Sequence, residues 1–188
     1  MKPGIAADSQ DEPNEKEAVE AFLLTRSDAA FGSMASALFT RLVRYFSIRG
    51  LDIQTAEELA QDVLMIIYRK AEMLRNKESF YGWLYKIARN QHLQHVRRHK
   101  REAELVDLDW LPPSSSEQVV AGETSQEDEF LHWIRPLEPE EQQIMILRYI
   151  EDLSYQEIAT ALGIPLGTVK WKIFDAKMRL AGILNQSR

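Results

Sequence analysis

Cysteine is absent from the 188-residue chain. No disulfide framework and no thiolate metal site can be built without it, which suits a reducing compartment, and a cytoplasmic location is expected. Apolar residues nowhere run for the roughly 18 positions that a membrane-spanning helix needs, so no membrane insertion is expected. The opening residues 1–17 are polar and acidic and do not form a signal peptide. No segment alternates convincingly as a strand would, and no internal repeat is visible. Catalytic signatures are missing too: there is no glycine-rich phosphate loop, no Gly-x-Ser-x-Gly and no His-Glu-x-x-His. Glu140 and Glu141 form an acidic pair, but in the first turn of a helix, where compensation of the helix dipole explains them. His92, His95 and His99 share one helix face. A metal site there is not favoured, because no carboxylate or cysteine stands beside them and the neighbouring positive charge repels a cation. No catalytic residue, no metal and no cofactor is expected, and the chain is not read as an enzyme.

What the chain does have is helical periodicity and segregated charge. Hydrophobic residues make up 45% of it, enough to fill the cores of two small domains. Its net charge of −6 argues against a general nucleic-acid coat protein, but that average hides two opposite regions. Residues 84–101 hold six Lys/Arg (Lys86, Arg89, Arg97, Arg98, Lys100 and Arg101) and no Asp or Glu. Residues 102–129 hold nine acidic residues and no Lys or Arg. Pro112, Pro113, Ser114, Ser115, Ser116 and Gly122 make that acidic stretch a linker between helical domains.

Residues 1–17, with Pro3, Gly4 and Pro13, read as a disordered tail. From about Ala18 to Arg49, Phe31, Met34, Leu38, Leu42, Tyr45 and Phe46 recur at helical spacing. Thr55 with Glu58 reads as a capping box opening a helix through about Met73. Leu59, Val63, Ile66 and Ile67 lie on its inner face. Glu57, Glu58, Gln61, Asp62 and Arg69 form the opposite stripe, either a solvated face or a docking surface. After a polar loop at 74–79, a helix from Phe80 begins apolar and ends as a cationic arm, for which phosphate is the natural partner. Phe80, Tyr81, Trp83 and Tyr85 lie just upstream, and aromatics beside cations suit unstacked bases, although Trp83 reads better as core.

Helices resume from Phe130, with Pro139 opening a segment that turns Ile144, Leu147 and Ile150 inward. In 153–180, Ser154 and Glu157 form a capping box, and Ile158, Ala159 and Leu162 give an apolar face. Gly163 is a helix stop, and Pro165 suits the opening of the next helix. Val169, Ile173, Ala176 and Leu180 then face inward, leaving Thr168, Lys170, Trp171, Phe174 and Asp175 outward. Small Ala159, a glycine turn and a basic second helix point to a helix-turn-helix.

Three stretches in this order carry a family resemblance: TAEELAQDVLMIIYRK at 55–70, FYGWLYKIARNQHLQHVRR at 80–98 and LSYQEIATALGIPLGTVKWKIFDAKMRL at 153–180. They resemble the bacterial sigma factors of the sigma-70 family, in the compact extracytoplasmic-function (ECF) type. The resemblance implies an all-α fold of two small helical domains on a flexible acidic linker. Residues 18–101 would be region 2, 102–129 the linker and 130–184 region 4. It implies binding to core RNA polymerase, recognition of −35 and −10 promoter elements, and help in melting the DNA. Glu57, Glu58, Gln61 and Asp62 match the surface that docks on the β′ clamp helices, and the second domain would contact the β flap. Asn76, Lys77 and Ser79 match the pocket for a flipped −10 base, while Lys86, Arg89, Asn90, Arg97 and Arg98 match contacts to backbone and base edges. Thr168, Lys170, Trp171, Lys172 and Asp175 fall on the −35 reading helix, in the major groove. The linker would run toward the RNA exit path, its acidity imitating RNA.

The chain departs from the family pattern at Gln94, where an Asp is common, and in the reading helix at Trp171, Phe174 and Asp175. These departures bear on promoter sequence. Trp171 suits a thymine methyl or sugar, or packing within the polymerase complex, and Asp175 suits a cytosine amino group. A possible partner is an anti-sigma factor, and the free chain is expected to be a monomer. Two other readings stand beside this one. A sigma-like decoy that sequesters an anti-sigma factor would have lost the cationic helix or the −10 loop. A stand-alone helix-turn-helix regulator would leave residues 20–101 unexplained.

Overall fold

The computed structural model describes residues 14–74, 76–105 and 126–186. Among these residues every regular element is helical, as the sequence predicts. The helices are α1 (Glu15–Thr25), α2 (Asp28–Ser47), α3 (Ile53–Lys70), α4 (Phe80–Leu105), α5 (Gln126–Ile134), α6 (Pro139–Tyr149), α7 (Tyr155–Leu162) and α8 (Leu166–Gln186). Short 3₁₀ turns lie at Ala71–Met73 and Lys77–Ser79. The chain divides into two compact units, Met1–Met73 and Leu74–Arg188.

In the first unit the apolar pattern of 18–49 resolves into two helices. Arg26 takes a left-handed conformation (φ 55°) that ends α1, and the Ser27 side chain caps α2 by accepting from Ala30 N at 3.3 Å. Helix α1 starts at Glu15, within the stretch predicted as a tail. Asn14 caps it by accepting from Lys16 N at 3.3 Å, and Glu15 reaches Arg41 of α2 at 2.6 Å. Residues 1–13 lie outside the described residues. The inward stripe of α2, Met34, Leu38, Leu42, Tyr45 and Phe46, is fully buried, and α2 packs on both α1 and α3. Gly50 closes the turn after α2 at φ 85°, a conformation that suits glycine.

The start of α3 differs from the sequence reading. Its N-cap is Asp52, whose carboxylate accepts from Thr55 N at 3.0 Å and from the Thr55 hydroxyl at 2.7 Å. These bonds hold the Asp52 carboxyl below the usual carboxylate range. An ionised acceptor outcompetes a hydroxyl for the cap, so Thr55 sits inside the first turn and the Thr55–Glu58 box is not used.

In the second unit, α4 lies against α7. Phe80, Leu84, Tyr85 and Ala88 are buried along its first half. Gly82 makes the approach possible: a Cβ there would stand 2.8 Å from the Glu157 carbonyl oxygen and 3.0 Å from Thr160 Cβ. The Tyr85 hydroxyl donates to the buried Glu151 carboxylate in the turn before α7. Helical periodicity alone marks this face of α4 as buried. It does not identify what covers that face. Helix α4 also continues past Arg101 to Leu105, and α5 resumes at Gln126, within the stretch predicted as linker. Glu127, Asp128 and Glu129 occupy the first turn of α5, where they suit its dipole. The linker's Pro112–Ser116 and Gly122 lie outside the described residues.

The α7–turn–α8 unit forms as its sequence predicts. Glu157 N donates to the Ser154 hydroxyl at 3.2 Å, and Ser154 N donates to the Glu157 carboxylate at 2.8 Å. Gly163 ends α7 in the left-handed region at φ 69°. Ile158, Ala159 and Ala161 are buried with Val169, Ile173 and Ala176, so the two helices share one core with α6.

Candidate nucleic-acid interface

Three surfaces gather the predicted residues. On α3, Glu57, Glu58, Gln61 and Asp62 are all exposed. At i, i+1, i+4 and i+5 they occupy one side of the helix, opposite buried Leu59, Ala60, Val63 and Ile67. The stripe carries three acids and one amide, a surface suited to a basic partner face.

The second surface is the turn before α4 and the outer half of that helix. Asn76 Oδ1 accepts from Glu78 N at 3.0 Å, and the Ser79 hydroxyl donates to the Asn76 carbonyl at 2.7 Å. Two of the three residues of the expected pocket, Asn76 and Ser79, therefore shape the turn, while Lys77 stands exposed at its tip. Lys86, Asn90, Arg97 and Arg98 are exposed along α4 and Arg89 is half-buried. Among the described residues, Lys86, Arg89 and Arg97 form no ion pair. The upstream aromatics contribute less than their sequence position suggests. Phe80 and Tyr85 are buried and cannot stack on a base, and Tyr81 and Trp83 are half-buried. Their rings instead build the α4 anchor, with Phe80 packing edge-on against Tyr81 at 5.4 Å. Among the described residues, no group of three or more His, Cys, Asp or Glu is placed to hold a metal ion.

The third surface is α8. Lys170 and Trp171 are exposed, while Thr168, Lys172 and Asp175 are half-buried. Lys172 reaches Glu140 of α6 at 2.8 Å, Arg179 bonds buried Glu141, and Arg179 Nε reaches Asp175 at 3.1 Å. Glu140 and Glu141 therefore do more than complement a dipole: they tie α8 to α6. The Lys177 ammonium stands 5.4 Å from the Tyr149 ring centroid. Its pKa is raised, first through hydrogen bonding to that tyrosine. Trp171, Phe174 and Met178 point outward, 60%, 64% and 59% exposed. Met178 was missed in the sequence, although it lies four residues after Phe174 and seven after Trp171. Tyr85 and Glu151 were missed as partners because they are far apart in the chain.

Comparison with known proteins finds two matching family regions. A family model described as sigma-70 region 2 matches residues 35–102, and one described as sigma-70 region 4 matches residues 128–180. The chain is 33% identical over 157 residues to the ECF RNA polymerase sigma factor RpoE of Cereibacter sphaeroides, covering 82% of this chain and 86% of that one. It is 31% identical over 137 residues to the RNA polymerase sigma-H factor of Pseudomonas aeruginosa, covering 67% and 71%. Among solved structures it resembles the sigma factor RpoE of Bartonella quintana, crystallised with the anti-sigma factor NepR. There the TM-score is 0.57 at 26% identity, over 80% of this chain and 94% of that one.

Proposed function

Since the chain belongs to the sigma-70 family, in its ECF type, we propose that its two basic helices divide promoter reading between them. The turn at 76–79 and the outer half of α4 take the −10 element, and α8 takes the −35 duplex. Lys77 lies at the mouth of the −10 base site, with Asn76 and Ser79 fixing the turn beneath it. Lys86, Arg89, Asn90, Arg97 and Arg98 hold phosphates and base edges. Unstacking a base costs a few kcal/mol, offset by such contacts. Thr168, Lys170 and Trp171 stand nearest the −35 groove. The functional domains are 18–101 and 130–184, joined through 102–129.

The observation that carries this reading is the row of exposed cations on α4, in a chain that also presents a helix-turn-helix. The acidic stripe of α3 docks on the β′ clamp helices, and the second domain on the β flap. The chain works in the cytoplasm, where polymerase and DNA are, as a monomer when free. It supplies no catalytic residue of its own. The Bartonella quintana relative binds an anti-sigma factor, and this chain takes a comparable inhibitor. A sequestering decoy is disfavoured because both the cationic helix and the loop before it are present.

Run-off transcription with purified core polymerase tests the proposal. Chain-dependent initiation from a native promoter is expected. Glu58→Lys with Asp62→Lys is expected to abolish binding to core without changing the melting temperature. Failure of the wild-type chain both to bind core and to initiate would overturn the proposal.

A further inference from the structure

We infer that α8 selects its promoter element through thymine methyl groups, with Trp171, Phe174 and Met178 as the reading side chains. The inference rests on the −35 role proposed above for this helix. At about 100° per residue, the three lie within roughly 60° of one another and opposite the buried Val169, Ile173 and Ala176. They therefore face away from the domain's own core, on the side that a helix-turn-helix presents to the major groove. Three large apolar side chains, each well over half exposed on one face, form a contiguous patch rather than scattered surface residues.

Three of the polar alternatives on the same helix are already engaged. Lys172 is held by Glu140 and Asp175 by Arg179, which also bonds Glu141. Reading a guanine or cytosine edge with any of them would first break an ion pair inside the domain. Lys170 remains exposed on one flank of the patch, where it suits a phosphate.

In the major groove the one apolar feature of a base edge is the C5 methyl of thymine; the other edges offer donors and acceptors. An apolar side chain against those groups strips their water and returns no hydrogen bond. The same face therefore favours thymine and rejects the other bases. Spacing sharpens the choice. With a rise of about 1.5 Å per residue, Trp171 and Phe174 are about 4.5 Å apart along the helix axis. Base pairs are about 3.4 Å apart. The two rings thus address neighbouring base pairs, and the expected element contains adjacent thymines.

The test uses holoenzyme assembled from core polymerase and the full chain. Promoter duplexes randomised at −35 are selected for binding, and the thymines of the winners are then replaced by deoxyuridine, which removes only the methyl. Adjacent thymines should be enriched, and each methyl removed should weaken binding about fourfold. Trp171→Ala with Phe174→Ala should bind thymine and deoxyuridine duplexes equally. Because both side chains are exposed, its melting temperature should stay at the wild-type value, which confirms that the variant is folded. If the holoenzyme initiates but is indifferent to deoxyuridine, or if the double variant stays sensitive, the inference fails while the promoter-reading function stands. Indifference would assign the patch to a protein partner. If the holoenzyme does not initiate at all, the −35 role falls and this inference with it.

Discussion

Along α4, Lys86 and Arg97 stand exposed without an ion-pair partner among the described residues. Along α8, Lys172 and Arg179 each meet a glutamate of α6. The two helices look alike as strings of basic residues, yet α8 ties Lys172 and Arg179 into its own domain and leaves Lys170 exposed. An exposed cation gains binding energy by displacing counterions from phosphate, so its contribution falls steeply with salt. A paired cation fastens its own domain, and what α8 leaves outside is the apolar patch with Lys170 on its flank. Under the proposed promoter-reading function, this would divide the labour, with α4 holding a polyanion largely by charge and α8 discriminating among base edges largely by shape and hydration.

The largest effect is expected where α4 is anchored. Gly82→Ala adds a methyl 2.8 Å from the Glu157 carbonyl oxygen, a backbone atom that cannot swing aside. Overpacking of this kind costs about 1–3 kcal/mol, although in an unobstructed helix the same change would stabilise by about 1 kcal/mol. A denaturant melt of the full chain separates the two, since a lowered midpoint supports a docked first half and a raised midpoint refutes it. Next comes the charged half. Arg97→Ala with Arg98→Ala should lower the slope of log affinity against log salt by about 2. Between 50 and 200 mM salt, holoenzyme with this variant should lose about tenfold less affinity for promoter DNA than wild type does. Trp171→Ala with Phe174→Ala should weaken binding and leave that slope unchanged. Equal slope changes for both variants would erase the distinction between the helices.

Much of this architecture is legible in the sequence because it is local. The Ser154–Glu157 box, Gly163, and the 3.6-residue rows in α2, α3 and α8 depend on neighbours within a turn or two. The structure reproduces them. The acidic stripe of α3 is exposed for the same reason. Partnership across the chain is not local. Nothing near Gly82 signals that Glu157 will lie against it, and nothing near Tyr85 signals Glu151. Likewise Glu140 and Glu141 satisfy a dipole argument so well by position that their links to Lys172 and Arg179 stay hidden. The cap of α3 went astray for a smaller reason. Two adequate caps, Asp52 and Thr55, stand three residues apart, and the charged one prevails.

Within α8 the two ion pairs should differ in weight. Glu141 is buried, so Arg179→Ala leaves a carboxylate in the domain interior without its guanidinium. Its other oxygen still accepts from Glu138 N at 3.1 Å, which limits the loss to about 1 kcal/mol. This should be read as a lower denaturation midpoint with promoter affinity unchanged at low temperature. Lys172 is the more delicate case. Its partner Glu140 is half exposed, at 53% for the side chain, so the pair is worth at most about 0.5 kcal/mol. Lys172→Ala should therefore barely move the melt. If Lys172 faces α6 when DNA is bound, the change should also leave the salt slope within about 0.3 of wild type. If Lys172 instead leaves Glu140 for a phosphate, the slope should fall by about 1. The decisive control is Glu140→Gln, which removes the acid and keeps the lysine. It should steepen the salt dependence if the released cation can reach DNA, and leave it alone if the geometry of α8 points it away. A steeper slope would show that the Lys172 charge is withheld from DNA by α6, and that this part of the contrast with α4 rests on Glu140 rather than on the helix itself.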